Sequence, residues 1–294
     1  MKTMRKILTI LLLLLAVHAN ATADYTREDS VKVMRLLEEG QKQPRNANFM
    51  LFYARRLVGI PYIAQTLEVN SRERLVINLR QLDCTTYVEN VLALTLCMQN
   101  RKTTFADFCN YLRLIRYEDG KIDYTSRLHY FTDWIADNTR LGFVHEIQRS
   151  GAPFTQVQTV RVGYMTRHAA DYPMLKAHPE RLKAIAESER KLTGKQFRYI
   201  PKVQITNSSL CRNTIKDGDI IAIITAKKGL DTSHIGIAVW HKDGLHLLNA
   251  SQVRRRVVEE PILLRTYMAK HPMQTGIRIV RVGDETDETT IIGR

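Results

Sequence analysis

The chain has 294 residues, 44% hydrophobic and 25% charged, with a formal net charge of +14 at pH 7. This composition excludes a disordered chain and gives a globular protein with enough apolar material for a sizeable core. No internal repeat or low-complexity linker divides it, and the positive charge favours anionic partners.

At the start, Lys2, Arg5 and Lys6 precede an apolar run from Ile7 to Val17. Ala19-Asn20-Ala21 and Ala21-Thr22-Ala23 then give two small-x-small cleavage sites. Residues 1–23 read as a signal peptide whose apolar run is too short to span a bilayer comfortably. No cysteine follows closely enough for a lipid anchor, and no later segment is apolar enough to span. The expectation is an exported protein, periplasmic or secreted, without stable membrane insertion. Losing Lys2, Arg5 and Lys6 takes the charge from +14 to +11. Nucleic acid is not an expected partner outside the cytoplasm, whereas cell-wall polymers are. The run Arg254-Arg255-Arg256 either contributes to that attraction or is a solvated face.

Residues 26–58 carry apolar side chains at three- and four-residue spacing and are expected to be helical. "GIPYI" breaks the pattern, and residues 74–79 suit a short extended run. From Cys84, the set Tyr87, Val88, Val91, Leu92, Leu94, Thr95 and Met98 wraps most of a helix, which must therefore be buried. Asp83 occupies its N-cap position. A second amphipathic helix is expected over 104–117, a mixed aromatic stretch over 120–140 and a polar helix over 175–192. The last third changes character. "DIIAIIT" (219–225), "HIGIAVW" (234–240), "LHLLNA" (245–250) and "GIRIVRV" (276–282) read as antiparallel strands of one sheet. The fold class is α+β, with the central helix packed on the sheet and additional helical insertions. Residues 24–294 form a single domain, helical over about 24–200 and strand-rich over about 201–294.

The four cysteines are Cys84, Cys97, Cys109 and Cys211. No CxxC pair exists, so zinc is not expected. One disulfide among Cys97, Cys109 and Cys211, or four reduced thiols, are both open. A lone buried cysteine as a rule packs as a small hydrophobe. Cys84, however, sits at a helix mouth, where the macrodipole and free N–H groups are expected to lower its pKa. The same N–H groups suit a developing oxyanion. A nucleophile needs a base, and His234 opens a strand beside a polar loop.

If a four-residue loop from His241 to Gly244 sets Trp240 opposite Leu245, Ala238 faces Leu247 and Gly236 faces Asn249. His234 then shares a face with Asn249, its diagonal neighbour, and His246 points the other way. A two-residue loop keeps these faces and a three-residue loop with a bulge flips them. The expected triad is Cys84 as nucleophile, His234 as base and Asn249 as the group that orients the ring. Gly236 and Ala238 are expected to leave room for the cysteine-bearing helix on that face.

"LDCTTYVENVLAL" and "SHIGIAVW…LHLLNAS" resemble the two signature blocks of the NlpC/P60 superfamily of papain-like cysteine peptidases. "KDGDIIAI" resembles the strand before the histidine loop. "PYIAQTLEVN", "LDCTTYVEN" and "SRLHYFTDWIADN" together resemble the DUF1460 branch, over most of residues 50–285. The resemblance implies a papain-like fold and an N-acetylmuramoyl-L-alanine amidase-like activity on muropeptides. It also implies that Cys84, His234 and Asn249 hold the three catalytic positions, the third being often histidine in the superfamily. "PYIAQTLE" lacks the superfamily's glycine pair and lies far upstream of Cys84, which implies a reshaped cleft and a substrate other than the usual γ-D-glutamyl link.

Substrate contacts are expected from Tyr124 to Trp134, with Tyr124, Ser126, Arg127, His129 and Tyr130 as candidates. Arg127 suits a carboxylate or phosphate and the aromatic faces suit sugar rings, although Leu128, Tyr130, Phe131 and Trp134 also read as a core stripe. Tyr62, Asp83 and Ser233 join them through nearness to the nucleophile or base, and Asp83 has its capping role as the alternative. The expected protein is an exported cysteine amidase acting on peptidoglycan fragments, with no metal and no cofactor. A γ-D-glutamyl-diamino-acid endopeptidase and a non-catalytic muropeptide-binding module are the alternatives.

Overall fold

A computed structural model describes residues 23–283. The expected signal peptide, apart from Ala23, lies outside the described residues. Among the described residues no helix is long and apolar enough to cross a membrane.

The stretch expected to be helical at 26–58 forms α1 (Arg27–Gln41) and α2 (Phe49–Arg56). Thr26 starts α1 through a capping box with Asp29. The extended run at 74–79 contains β2 (Leu75–Val76), paired in parallel with β1 (Ala23–Asp24). Next comes α3 (Cys84–Gln99), in which every residue from Thr86 to Cys97 is buried. Its polar members are paired internally. Thr95 Oγ1 donates to the Val91 carbonyl, and Glu89 meets Arg116 Nε at 2.7 Å. Arg116 arrives on α4 (Phe105–Arg116), whose own capping box joins Thr104 to Asp107. The aromatic stretch leads into α5 (Phe131–Arg140), and α6 (Leu182–Leu192) follows later.

One eight-stranded sheet, antiparallel throughout, organises the domain. Its strands are β3 (Val144–Ile147), β4 (Gln156–Thr159), β5 (Gln196–Pro201), β6 (Ile220–Thr225), β7 (Thr232–Trp240), β8 (Leu245–Ser251), β9 (Arg256–Glu259) and β10 (Gln274–Val282). The order is β4-β5-β10-β6-β7-β8-β9, and β3 shares the β10 edge with β5. The four strands expected from the sequence are β6, β7, β8 and β10, the centre of this sheet. Strands β3, β4 and β5 fall in the stretch read as helical, and β9 was not anticipated either. β4, β5 and β9 are short and largely exposed or half-buried, so they carry little apolar alternation to read.

Apolar groups cover both faces. On one, Ala222, Ile235, Ile237, Val239, Leu248 and Ala250 pack into the core that contains α3. On the other, Ile221, Ile223, Ala238, Leu247, Ile277 and Ile279 meet α7 (Leu264–Ala269) through Leu264, Tyr267 and Met268. Burial on both sides explains why "IIAII" is an unbroken apolar run.

Candidate active site

Asp83 caps α3. Its Oδ1 accepts from the Thr86 N–H and from Thr86 Oγ1, each at 2.8 Å, while its own N–H donates to Thr86 Oγ1 at 3.0 Å. Cys84 is therefore the first helical residue, and it is half-buried. A strap over residues 59–63 fixes the approach. Gly59 N–H donates to Val257 O and Tyr62 N–H to Arg255 O, while Ile63 N–H donates to Leu82 O. The strap is thus pinned between β9 and the residues before Cys84.

The Cys84 sulfur lies within hydrogen-bonding reach of the Ile235 N–H and of the Thr85 N–H and hydroxyl. These donors favour the thiolate. Burial acts first in the opposite direction, the Asp83 charge adds to it, and the thiol is pushed up to about 12. The shift thus runs opposite to the lowering expected at a helix end, because burial and the Asp83 charge outweigh the local hydrogen bonds. Tyr62 is raised to about 12 by burial, then by Cys84, Asp83 and Tyr267, which marks it as a neighbour of the sulfur.

The hairpin has the expected register, Trp240 opposite Leu245 and Ala238 opposite Leu247. His234 Nε2 lies 2.9 Å from Asn249 Oδ1. Asn249 is fully buried, and its Nδ2 donates to the Leu247 and Val258 carbonyls at 3.4 Å. Those carbonyls only accept, so the amide oxygen is the atom turned to the ring. Nε2 must then carry the proton, which leaves the Nδ1 lone pair as the base. Burial holds the His234 pKa below the ordinary histidine value, against the opposing effect of the hydrogen bond that the ring donates to Asn249.

Gly236 serves this contact. A Cβ there would lie 2.8 Å from Leu247 Cδ1 and 2.9 Å from Asn249 Cβ. The space was expected to admit the cysteine-bearing helix. Instead α3 packs on the opposite face, against Ile235, Ile237 and Val239. Side chains alternate along β7, so the residues flanking His234 and Gly236 meet the helix. Cys84 comes up to the strand at the N–H of Ile235, the residue after His234 in the chain.

The face that carries His234 is covered by α7. The Tyr267 ring lies 6.3 Å from the His234 ring, and burial, with Glu260 and Cys84 nearby, raises the Tyr267 pKa. Sequence reading passed over Tyr267, although Leu264, Tyr267 and Met268 have helical spacing. Buried Glu260 accepts from Ser251 Oγ at 3.0 Å and from Arg254 Nε at 3.3 Å, and it acts electrostatically on His234. Arg254 of the basic run is thus an ion-pair partner.

The other candidates are held within the fold. Ser233 is exposed and donates to Ile223 O. Tyr124 is fully buried, and Arg127 stacks over its ring while pairing with Glu68 and, at 3.5 Å, with Glu73. His129 Nε2 lies 2.7 Å from the Tyr124 carbonyl, and burial pulls its pKa down to about 3. Ser126 donates to Lys121 O. Tyr130 OH donates to Glu189 at 2.6 Å and accepts from the Tyr164 and Met165 N–H groups. Phe131 and Trp134 stack at 4.7 Å in the core, as the stripe reading allows. All four cysteines are free thiols.

Several known proteins are similar to this chain. The AmiA-like family, described as N-acetylmuramoyl-L-alanine amidase-like, matches residues 53–277. A crystal structure of an N-acetylmuramoyl-L-alanine amidase from Bacteroides uniformis is 39% identical with a TM-score of 0.74, over 80% of this chain and 97% of that one. A Bacteroides fragilis structure described provisionally as a xylanase is 42% identical with a TM-score of 0.73, over 79% and 99%. A Legionella pneumophila protein of the DUF1460 family shares the fold at 21% identity and a TM-score of 0.68, over 87% and 95%. No curated protein matches.

Proposed function

Since the chain belongs to the N-acetylmuramoyl-L-alanine amidase-like family, we propose that it is an exported cysteine amidase of the NlpC/P60, papain-like type. It cleaves the amide between the lactyl group of N-acetylmuramic acid and L-alanine in peptidoglycan fragments. One observation carries the chemistry: the His234–Asn249 bond of 2.9 Å, on the strand whose next N–H reaches the Cys84 sulfur. Export rests on the basic-apolar-small pattern of residues 1–23.

In this mechanism the resting pair is a neutral thiol beside a neutral imidazole. His234 Nδ1 takes the thiol proton as sulfur attacks the lactyl carbonyl carbon, and Asn249 holds the imidazolium through Nε2–H. The oxyanion forms against the N–H groups gathered at the sulfur. The imidazolium then protonates the leaving L-alanine nitrogen, and a thioester to the muramoyl group remains. Water, deprotonated by His234, hydrolyses it. Tyr62 and Ser233 flank this centre as substrate contacts. Of the set from Tyr124 to Tyr130, only the half-buried Ser126 and His129 are open enough to reach substrate, since Tyr124, Arg127 and Tyr130 are buried against partners of the fold.

Glycoside hydrolysis would need a carboxylate pair. The carboxylates that act on the pair are Asp83, committed to the helix cap, and Glu260, committed to Ser251 and Arg254. Amide chemistry suits the site better. The endopeptidase alternative uses the same three groups and differs only in the bond presented. Incubation with a defined disaccharide-peptide, read by product mass, separates them. Release of the intact stem peptide supports the amidase. A muramoyl dipeptide would make it an endopeptidase, and retained binding with no turnover would make it a binding module.

A further inference from the structure

We propose that the turn joining β7 to β8 is a divalent-metal site of the zinc class, with His241, Asp243 and His246 as ligands. One donor atom from each residue lies within 4.8 Å of the others. The missing CxxC pair argues only against a cysteine site and does not bear on this set.

The hydrogen-bond geometry points to a cation. His246 is buried and its Nδ1 lies 2.8 Å from the Glu260 carbonyl. A carbonyl only accepts, so Nδ1 carries the proton. The other ring nitrogen, Nε2, lies 3.1 Å from Asp243 Oδ1. A ring nitrogen and a carboxylate oxygen at this separation are spaced to share one ion. A ligating histidine as a rule gives its second N–H to a carbonyl or carboxylate, the arrangement seen here.

The second ring repeats the arrangement. His241 Nε2 lies 2.5 Å from Glu259 Oε1, and Glu259 is steadied by Arg55 Nε at 3.1 Å. The two rings stack at 4.2 Å with an interplanar angle of 28°. Each therefore has one nitrogen held by residue 259 or 260 and the other left for an ion. Two imidazole nitrogens and one carboxylate oxygen suit zinc, with water completing the shell. The side chain of His246 is 3% exposed and those of His241 and Asp243 are 42% and 64% exposed. The buried ring is the fixed anchor, and the two exposed side chains complete the ligand set. The site lies at the opposite end of the hairpin from His234 and Asn249, so its role is to fasten the turn to β9.

The test uses metal-stripped protein carrying Cys84→Ser, which removes the catalytic thiol as a rival ligand. It is titrated with zinc chloride by calorimetry, and its melting temperature is read with and without zinc. Expected are one ion per chain, a zinc-dependent rise in Tm, and a cobalt(II) spectrum without a thiolate charge-transfer band. Adding His241→Ala and Asp243→Ala, both at exposed positions, should weaken zinc binding about tenfold or more. No zinc-dependent heat or Tm shift, or binding unchanged in that variant, overturns the proposal and leaves the cluster held by protons alone.

Discussion

The two ends of the β7–β8 hairpin each hold histidine, but in different company. At one end His234 meets the neutral amide oxygen of Asn249, 2.9 Å away. At the other, His241 and His246 face the carboxylates of Glu259 and Asp243. A neutral acceptor fixes the tautomer and aim of a ring without making its protonated form strongly preferred, so the ring can take and return a proton. Carboxylates favour a bound positive charge. The contrast explains why one imidazole suits catalysis and the other pair suits holding a cation.

The sharpest way to break this contrast is to remove its reactive members. Cys84→Ser and His234→Ala should each lower kcat by about 10⁴-fold or more, with the double variant no worse than the singles. Steady-state rates on a disaccharide-peptide would show it, with near-UV dichroism confirming the fold. Asn249→Ala should cost about 10²-fold in kcat while leaving KM nearly unchanged, because it disturbs only the orientation and tautomer of the ring. A KM effect alone would place Asn249 on the substrate instead.

Gly236→Ala tests the crowding that lets Asn249 reach the ring. Its Cβ meets Leu247 and Asn249 below 3.0 Å. Stability should fall by about 1–3 kcal/mol in urea unfolding, with a loss of activity. Unchanged stability would mean that the strand has slack there.

The pH dependences are the finest probes. Burial lowers His234, and a protonated ring cannot accept the thiol proton, so activity should fall only below the ordinary histidine range. Asn249→Asp should move that acid limb to higher pH, bringing this end of the hairpin nearer to the carboxylate end. Because Cys84 is pushed up to about 12, its alkylation by iodoacetamide should keep rising with pH through neutrality. A plateau in acid would instead reveal a preformed thiolate-imidazolium pair.

Much of this arrangement was legible in local pattern. The apolar wrap after Asp83 marked a buried helix, and a four-residue turn from His241 to Gly244 was enough to put His234 and Asn249 on one face, as the pairing of Trp240 with Leu245 bears out. What depends on distant segments was not legible. The sign of the Cys84 shift comes from enclosure by the sheet and its neighbours, and no local motif reports that. The side of the sheet that α3 covers is decided by which residues of β7 it packs against, Ile235 rather than Gly236. The polar groups from Tyr124 to Tyr130 looked free for substrate. Glu68, Glu73 and Glu189, remote in sequence, occupy several of them. The short strands β4, β5 and β9 carry too little apolar alternation to stand out.

The central claim is that the Cys84 sulfur becomes acylated by the sugar side of the amide. Rapid acid quench of enzyme mixed with a disaccharide-peptide, followed by intact and peptide-level mass spectrometry, tests this directly. The account predicts a transient adduct on Cys84 carrying the muramoyl sugar and no amino acid. An adduct on another residue, an adduct containing amino acids, or turnover undiminished in Cys84→Ser would contradict it.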